Sequence, residues 1–292
     1  MLKILTILDD GSRKGPSIPT NEILLYPKSK INFMIMKRII NFSLAAMVCC
    51  LVALAFSCKN KGTQETATTD TVMNTLTPEE VAQGWQLLFD GKTFNGWKRY
   101  NHDTIGPLWT VHDGLIECNG QGLTEGTANI GGSLMTTRQF GNFELSVDWK
   151  ISPGGNSGIL YHVIEGPEYA HDYETGPEFQ LLDDSGWKGD TLKPAQLVGS
   201  NYDMYPAPTD KKIKPAGEWN NARLIYNNGH VVQYLNGEKT VDFEEGSADF
   251  QKRYVVSKWP HYPGWNKSKT GAISLQDHGA PIFFRNIKIK EL

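Results

Sequence analysis

Apolar and polar residues alternate with a period of two along most of the chain after position 77, which is the pattern of β-strands with one buried face. In the clearest example, every odd position from Phe143 to Trp149 is apolar and every even position between them is polar. Turn residues separate the runs, and Asp113-Gly114 is typical of a tight hairpin. The pattern predicts further strands at 108–111, 115–118, 133–136, 159–163, 178–182, 222–226, 231–235, 239–243, 272–275 and 282–289.

Helical patterns are scarce in the same region. Thr77 and Pro78 are typical of the N-cap and first position of one short helix. The segment 183–218 has no clear periodicity, and we expect a long functional loop there. Many short strands without intervening helices predict an all-β fold, a two-sheet antiparallel sandwich.

The N-terminal part of the chain has the features of an export signal. Lys37 and Arg38 precede a largely apolar stretch at 39–56, which is short for a membrane span and leads to Cys58. This order is typical of a bacterial lipoprotein signal, in which Cys58 becomes the lipidated first residue. We interpret residues 1–35 as a spurious extension, 36–57 as a signal peptide, 58–76 as a flexible tether and 77–292 as the β-sandwich domain.

Cysteine use and charge agree with a protein of the cell envelope. Cys49 and Cys50 lie in the predicted signal, so Cys118 is the single cysteine of the domain and no internal disulfide is expected. The net charge is -3, and no basic run is interleaved with aromatic residues, which argues against a nucleic-acid partner. We expect a lipid-anchored protein of the periplasm or outer membrane.

Aromatic residues are abundant in the chain. All 8 Trp residues belong to the predicted domain, because each lies at or after Trp85. Most aromatic rings should fill the core between the sheets. A few exposed rings would suffice to stack on sugars, so a glycoside or oligosaccharide is the expected partner.

The segment 176–184 carries the strongest candidate chemistry. Glu178 and Gln180 project from one face of a predicted strand. A bulge at Leu182 would bring Asp183 to the same face, and Glu178 with Asp183 would then be a carboxylate pair suited to general acid–base catalysis. A simple solvated strand face is the alternative interpretation.

A glycine-rich turn at 154–158 leads into a second candidate strand. No helix with Lys and Ser or Thr follows it, so it is not a phosphate loop, and a plain tight turn is the alternative. Asn156 and Tyr161 are candidates for substrate contacts. His162 is a candidate base or ligand if it faces a groove.

Two further clusters lie near the C-terminus. Gln276 and His278 would share a face at the end of a strand, with Asp277 available to orient the imidazole, although an incidental turn histidine is the alternative. Lys258 beside Trp259 could meet an oxyanion or a sugar hydroxyl, although a lysine is more often a solvated charge.

Together these stretches resemble the bacterial family of 3-keto-disaccharide hydrolases, once described only as a domain of unknown function. The resemblance runs from about Gly84 to Leu292. It implies a concanavalin A-like jelly roll and an enzyme that acts on glycosides already oxidised at C3. The stretches that carry it are 85–97, 154–161, 176–183, 217–220 and 275–286.

The resemblance also implies a reaction. A ketone at C3 acidifies the C2 hydrogen, so a base can form an enolate that expels the group on C1, and water then adds to the double bond. Candidate bases are Glu178 and His162, and candidate acids or metal ligands are Asp183 and His278. The candidates for binding hydroxyls or the oxyanion are Gln180, Gln276, Lys258, Tyr161, Asn156 and Trp259.

Cofactor use and two rival functions stay open. A divalent metal ion held by histidine and carboxylates could serve as the electrophile, but no ligand spacing identifies one. A laminarinase-like retaining hydrolase would use Glu-x-Asp-x-x-Glu, where this chain has Glu178-x-Gln180-x-x-Asp183. A non-catalytic carbohydrate-binding lipoprotein would instead use aromatic platforms such as Trp187 and Trp265.

Overall fold

Two antiparallel β-sheets pack face to face in the computed structural model, which describes residues 72–120 and 131–292. Over these residues, one sheet has eight strands and the other has five. Side chains alternate between the two faces of each strand, and the inward sets of both sheets form one apolar core around Phe143, Trp149, Phe179 and Phe284. The all-β, two-sheet antiparallel jelly roll that was predicted from the sequence is confirmed.

The strands follow in chain order as β1 (Trp85–Leu87), β2 (Trp97–Arg99), β3 (Trp109–His112), β4 (Leu115–Cys118), β5 (Leu134–Thr136), β6 (Phe143–Ile151), β7 (Asn156–Val163), β8 (Glu178–Leu182), β9 (Asn220–Asn227), β10 (His230–Leu235), β11 (Glu238–Glu244), β12 (Ala272–Leu275) and β13 (Ile282–Glu291). The helices are α1 (Pro78–Ala82) and α2 (Ala248–Tyr254). The larger sheet has the order β11-β10-β9-β6-β13-β4-β3, with β1 also paired to β13, and the smaller sheet has the order β2-β5-β12-β7-β8.

Local sequence signals account for most of these elements. Asp113 and Gly114 have φ angles of 50° and 76°, as the predicted hairpin between β3 and β4 requires. Thr77 caps α1 through a capping box with Glu80. Strands β1 and β2 and helix α2 were not predicted, because each is too short to show a period.

The N-terminal boundary of the packed domain lies before Thr77. The side chain of Asn74 is buried, its backbone N–H donates to Asn286 Oδ1 at 2.7 Å, and its Nδ2 donates to the Gly114 carbonyl at 2.8 Å. Asn74, which we assigned to the tether, therefore packs on the domain. The predicted signal, Cys58 and the 1–35 extension lie outside the described residues. Neither helix in the described part of the chain has the length and apolar character needed to cross a membrane.

A β-bulge in β7 decides where the His162 ring points. Leu160 pairs with Ser274 and Val163 pairs with Ala272, so β7 has one residue more than β12 in this interval. His162 takes a positive φ of 55° at the bulge, and its ring lies inside the sandwich, 4.3 Å from the Tyr226 ring centroid. Tyr161 is also fully buried in the core.

The environment of His162 keeps its imidazole neutral. Nε2 donates to the Gly141 carbonyl at 2.9 Å, while Nδ1 is buried and has no hydrogen-bond partner among the described residues. Burial lowers the pKa of His162 below its usual range, and the positive charge of Lys269 acts in the same direction. His162 is therefore a core residue held by the bulge.

We expect the free energy of unfolding to fall with pH below about 6.5, the ordinary pKa of histidine. Above that pH, His162 is neutral in both the folded and the unfolded chain, whereas below it the unfolded chain binds the proton more readily. Urea unfolding at pH 7.5 and 5.5 measures this loss. The variant His162→Asn, whose side chain tolerates a positive φ and does not titrate, should lose less stability over the same interval. An equal loss in both proteins would contradict the assignment.

Candidate active site

A narrow cleft of about 110 Å³ lies on the outer face of the five-stranded sheet, where β7, β8 and the end of β12 meet. Six of the residues that the sequence analysis selected line it together. Tyr173 and Tyr202, which were not selected, complete the lining. The six selected residues are Asn156, Glu178, Gln180, Lys258, Gln276 and His278.

The register of β7 against β8 explains this convergence. Gly158 pairs with Gln180 and Leu160 pairs with Glu178, so these positions share the outer face. Gln276 joins them because its backbone N–H donates to the Gly158 carbonyl at 2.9 Å. A Cβ atom at Gly158 would overlap the Glu178 carboxylate, so the missing side chain is what leaves room for that carboxylate.

The 183–218 segment covers the free edge of β8 and supplies one wall of the cleft. The Gln180 N–H donates to the Ser200 carbonyl at 3.0 Å, and the Tyr202 N–H donates to the Glu178 carbonyl at 2.9 Å. This backbone pairing protects the edge strand and carries the Tyr202 side chain into the cleft. The expectation of a functional loop in this segment is consistent with its position.

Two amide side chains present buried oxygens at the floor of the cleft. Gln180 is 1% exposed, and its Nε2 donates to the Gln196 carbonyl at 3.1 Å. The Oε1 atom of Gln180 and the Oδ1 atom of Asn156 are buried without hydrogen-bond partners in the described part of the chain. Buried oxygens of this kind are suited to accept hydrogen bonds from substrate hydroxyls.

Lys258 places an ammonium group in the cleft, where it contacts three aromatic rings. Its Nζ lies 4.6 Å from the Tyr202 and Trp259 ring centroids and 5.0 Å from that of Tyr173. These contacts are cation–π interactions, which hold an ammonium group without neutralising its charge. Trp259 itself is fully buried and donates through Nε1 to the Tyr202 carbonyl at 3.1 Å, so it supports Lys258 from below.

His278 lies at the other side of the cleft, with the Trp187 ring edge-on at 6.5 Å. Burial lowers the pKa of His278 below its usual range, and the Lys258 charge acts in the same direction, although Asp277 opposes it. The imidazole is therefore neutral near pH 7. The Asp277 carboxylate accepts the backbone N–H groups of Gly132 at 2.9 Å and Gly279 at 3.1 Å.

Asp183 does not join Glu178 in the cleft. No bulge follows Leu182 in β8, so the side chain of Asp183 lies on the opposite face from that of Glu178. Its carboxylate accepts the Gly154 N–H at 2.8 Å and the Ser185 hydroxyl at 2.7 Å. Burial alone would raise the pKa of Asp183, but these hydrogen bonds outweigh it and lower the pKa. The predicted carboxylate pair is wrong, and Asp183 ties the glycine-rich turn to the loop after β8.

Tyr161 and His162 are also placed away from the cleft. Tyr161 follows the regular alternation into the core, on the same side as Ile159, and the β7 bulge turns the His162 ring into the core as well. The alternation of the sequence predicted that His162 would share the outer face with Leu160, and the extra residue of the bulge breaks that alternation. Tyr173 and Tyr202 were missed because they belong to loops, where side-chain direction follows tertiary packing and leaves no periodic signal.

The side chains of the cleft do not form a metal-binding group. Across the described residues, no three His, Cys, Asp or Glu side chains come together in a way that could hold a metal ion. The cleft offers Glu178 and His278 alone, beside the Lys258 ammonium, which would repel a divalent cation. The donor set does not fit the metal that the sequence analysis allowed for, and we derive no step through one.

Comparison with known proteins agrees with this architecture. Residues 84–290 match the model of the 3-keto-alpha-glucoside-1,2-lyase-like domain family. The chain belongs to this family. A 3-keto-disaccharide hydrolase of Bacteroides thetaiotaomicron is 36% identical over 247 residues, which are 75% of this chain and 82% of the relative.

Two crystal structures from Parabacteroides distasonis, both of candidate glycosyl hydrolases, share the fold. The first is 41% identical with a TM-score of 0.69, and the match covers 76% of this chain and all of that one. The second is 28% identical with a TM-score of 0.53 and covers 71% of this chain and 99% of that one. Both likenesses agree with the two-sheet sandwich of this chain.

Replacing Gly158 with Ala tests whether the position of the Glu178 carboxylate depends on the absence of a side chain at residue 158. The added methyl must displace the carboxylate while the strand backbone stays in place, so we expect kcat/KM on a 3-keto glycoside to fall by about 100-fold. The melting temperature should change little. Gly141→Ala is the matched control, since its Cβ would meet its nearest neighbour, Thr270 Oγ1, at an ordinary 3.4 Å. Equal activity of the two variants would show that Glu178 does not need this space.

Proposed function

We propose that this enzyme cleaves the glycosidic bond of 3-keto glycosides, including 3-keto-disaccharides, by elimination followed by hydration. The observation that carries the proposal is the composition of the cleft. It holds one carboxylate, one ammonium group and one neutral imidazole among buried amides, which is a set suited to proton transfer and enolate stabilisation. Family membership and the 3-keto-disaccharide hydrolase relative support the same substrate class.

In the first step, Glu178 removes the proton from C2 of the 3-keto sugar. The electron pair of the C2–H bond forms the C2–C3 double bond of an enolate, and the ketone oxygen takes the negative charge. Glu178 is 4% exposed and lines the cleft, where a positioned carboxylate can act as a general base. It is the single carboxylate that the described residues contribute to the cleft.

Lys258 stabilises the enolate. Its ammonium group is held by three aromatic rings and enters the cleft as a cation that can face a developing oxyanion. A charge that is already in place before the reaction stabilises the transition state without reorganisation of solvent. Gln180 and Asn156 accept hydrogen bonds from the sugar hydroxyls and fix the ring.

In the second step, the enolate reforms the C3 ketone, a C1–C2 double bond appears, and the bond from C1 to the glycosidic oxygen breaks. The neutral His278 imidazole donates a hydrogen bond to the departing oxygen. The proton that Glu178 took from C2 ends on that oxygen, so the leaving group departs as an alcohol. Water then adds its oxygen to C1 and a proton to C2, which yields the free 3-keto sugar.

The arrangement does not favour the retaining hydrolase alternative. Double displacement requires two carboxyl groups about 5–5.5 Å apart across the scissile bond. The described cleft residues contain one carboxyl group only, that of Glu178, and Asp183 lies on the other face of β8. A purely sugar-binding role would leave the charged groups of the cleft without a function.

The two acidic variants Glu178→Gln and Asp183→Asn should behave differently. We expect Glu178→Gln to lower kcat by about 10²- to 10⁴-fold with an unchanged fold, because the base is lost. Asp183→Asn should keep kcat and lose roughly 1–3 kcal/mol of stability, because it weakens charge-assisted hydrogen bonds to Gly154 and Ser185.

The measurement is release of the aglycone from a 3-keto glucoside and from its unoxidised parent, with and without a chelator, alongside urea unfolding of each variant. Cleavage of the keto sugar alone supports elimination. Cleavage of the unoxidised parent, or full activity of Glu178→Gln, would overturn the proposal. Loss of activity with the chelator would place a metal in the reaction.

We also propose that the protein is exported and anchored to the cell envelope through a lipid on Cys58. The support is the order of a basic region, an apolar stretch and Cys58 in the sequence. The wild-type protein should sediment with membranes and incorporate labelled fatty acid, and Cys58→Ala should do neither. Fatty-acid labelling that survives in Cys58→Ala would contradict the assignment.

A further inference from the structure

A second and larger pocket, of about 670 Å³, opens at the end of the sandwich where β6 begins and β9 ends. It shares no lining residue with the catalytic cleft. Its volume lies in the range of pockets that bind small molecules. The function proposed above leaves this pocket without a role.

Glu245 forms the polar side of this pocket. Its side chain is 6% exposed, and its Oε2 accepts hydrogen bonds from the Tyr226 hydroxyl at 3.0 Å and from Lys269 Nζ at 2.6 Å. The other oxygen, Oε1, is buried without a hydrogen-bond partner in the described part of the chain. Buried carboxylate oxygens are rarely left without a donor, so this atom needs one from elsewhere.

Stacked aromatic rings form the apolar side. Trp265 stacks on Tyr254 at 5.9 Å and on Phe250 at 6.3 Å between ring centroids. The indole Nε1 of Trp265 is a buried donor without an acceptor among the described residues. The pocket therefore combines an unused acceptor and an unused donor with a partly exposed tyrosine ring.

The rim of the pocket is polar and carries one net positive charge, because Lys267 and Lys269 face the single carboxylate of Glu245. Lys269 compensates the charge of Glu245 and also contacts the Asn266 side chain at 3.0 Å. The side chains of Asn142 and Asn228 bond to each other at 3.1 Å and lie on the same rim. Hydroxyl groups can act both as donors and as acceptors, so a ligand that carries several of them can donate to Glu245 and accept from Trp265.

We propose that this pocket is a second carbohydrate-binding site, which holds one or two neutral sugar units without cleaving them. Aromatic rings beside amides and a carboxylate match the apolar faces and the hydroxyl groups of a pyranose. The two sites have a common wall, because Trp265 stacks on Trp259 at 4.7 Å, and Trp259 supports Lys258 in the cleft. Binding of sugar in this pocket requires no catalytic activity, so it can be tested independently of the proposed reaction.

Tryptophan indole resonances can distinguish the two sites in one titration. Protein labelled with ¹⁵N at the indole nitrogens is titrated with cellobiose and, separately, with maltose, and the Trp265 signal is assigned by its loss in Trp265→Phe. Trp265 reports on the second pocket, while Trp187 and Trp259 report on the cleft. We expect the Trp265 signal to shift and to saturate with at least one of the two sugars.

Gln251 and Lys252 provide a matched pair of variants on the exposed side of α2. Gln251 lines the pocket and Lys252 does not, so Gln251→Trp should fill the pocket and weaken the Trp265 response at least tenfold, while Lys252→Trp should leave it unchanged. Gln251→Arg is a second blocking variant in case the larger ring perturbs folding, which thermal unfolding reports.

Three results would overturn the inference. The first is a Trp265 signal that does not shift with either sugar. The second is a Trp265 shift of the same size in Gln251→Trp, Gln251→Arg and the wild type. The third is a loss of the Trp265 shift in Lys252→Trp as large as the loss in Gln251→Trp. Cleavage of a 3-keto glucoside should continue in both Gln251 variants. Failure of the sugar to bind here would thus leave the proposed reaction untouched.

Discussion

The antiparallel pairing of β7 with β8 is the constraint on which the cleft depends. It sets Gly158 against Gln180 and Leu160 against Glu178, so a carboxylate stands over a position that has no side chain. The same strand supplies Asn156 at one end, and its Gly158 carbonyl accepts the backbone N–H of Gln276 and so holds Gln276 beside it. A shift of one residue in this register would turn Glu178 and Gln180 into the core and bring Phe179 to the surface. Burial of Phe179 and Leu181 therefore stabilises the fold and at the same time fixes the strand face that lines the cleft.

A continuous stack of aromatic rings connects this face to the rest of the molecule. Lys258 lies on Trp259, Trp259 stacks on Trp265, and Trp265 stacks on Tyr254. Rings attract a cation but do not take its proton or pair with its charge, so the ammonium group stays available for an oxyanion. A carboxylate partner in the same place would have neutralised it. The stack also forms a wall of the second pocket, and one set of buried rings thus shapes two surfaces.

The sequence was sufficient for the elements whose side chains alternate and insufficient where the backbone breaks that alternation. Glu178 and Gln180 lie in a regular strand, and their common face followed from the period of two. His162 lies at a bulge, and no local signal marks the extra residue, so its predicted direction was wrong. We predicted a bulge at Leu182 that would bring Asp183 to the same face as Glu178, but β8 has no bulge there. Tyr202 reaches the cleft through a loop that pairs with the edge of β8, and such long-range pairing is invisible in a single sequence.

The single carboxylate of the cleft has a chemical meaning. In a displacement at C1, one carboxyl group must attack or activate water while another protonates the leaving oxygen, so two are needed. With a ketone at C3, the C2 hydrogen becomes acidic and the electron pair that expels the leaving group comes from the substrate itself. One base, one cation for the enolate oxygen and one neutral donor near the departing oxygen are then enough, and in the proposed reaction Glu178, Lys258 and His278 take these three roles. The oxidised substrate thus supplies reactivity that an ordinary glycosidase must build from its own second carboxylate.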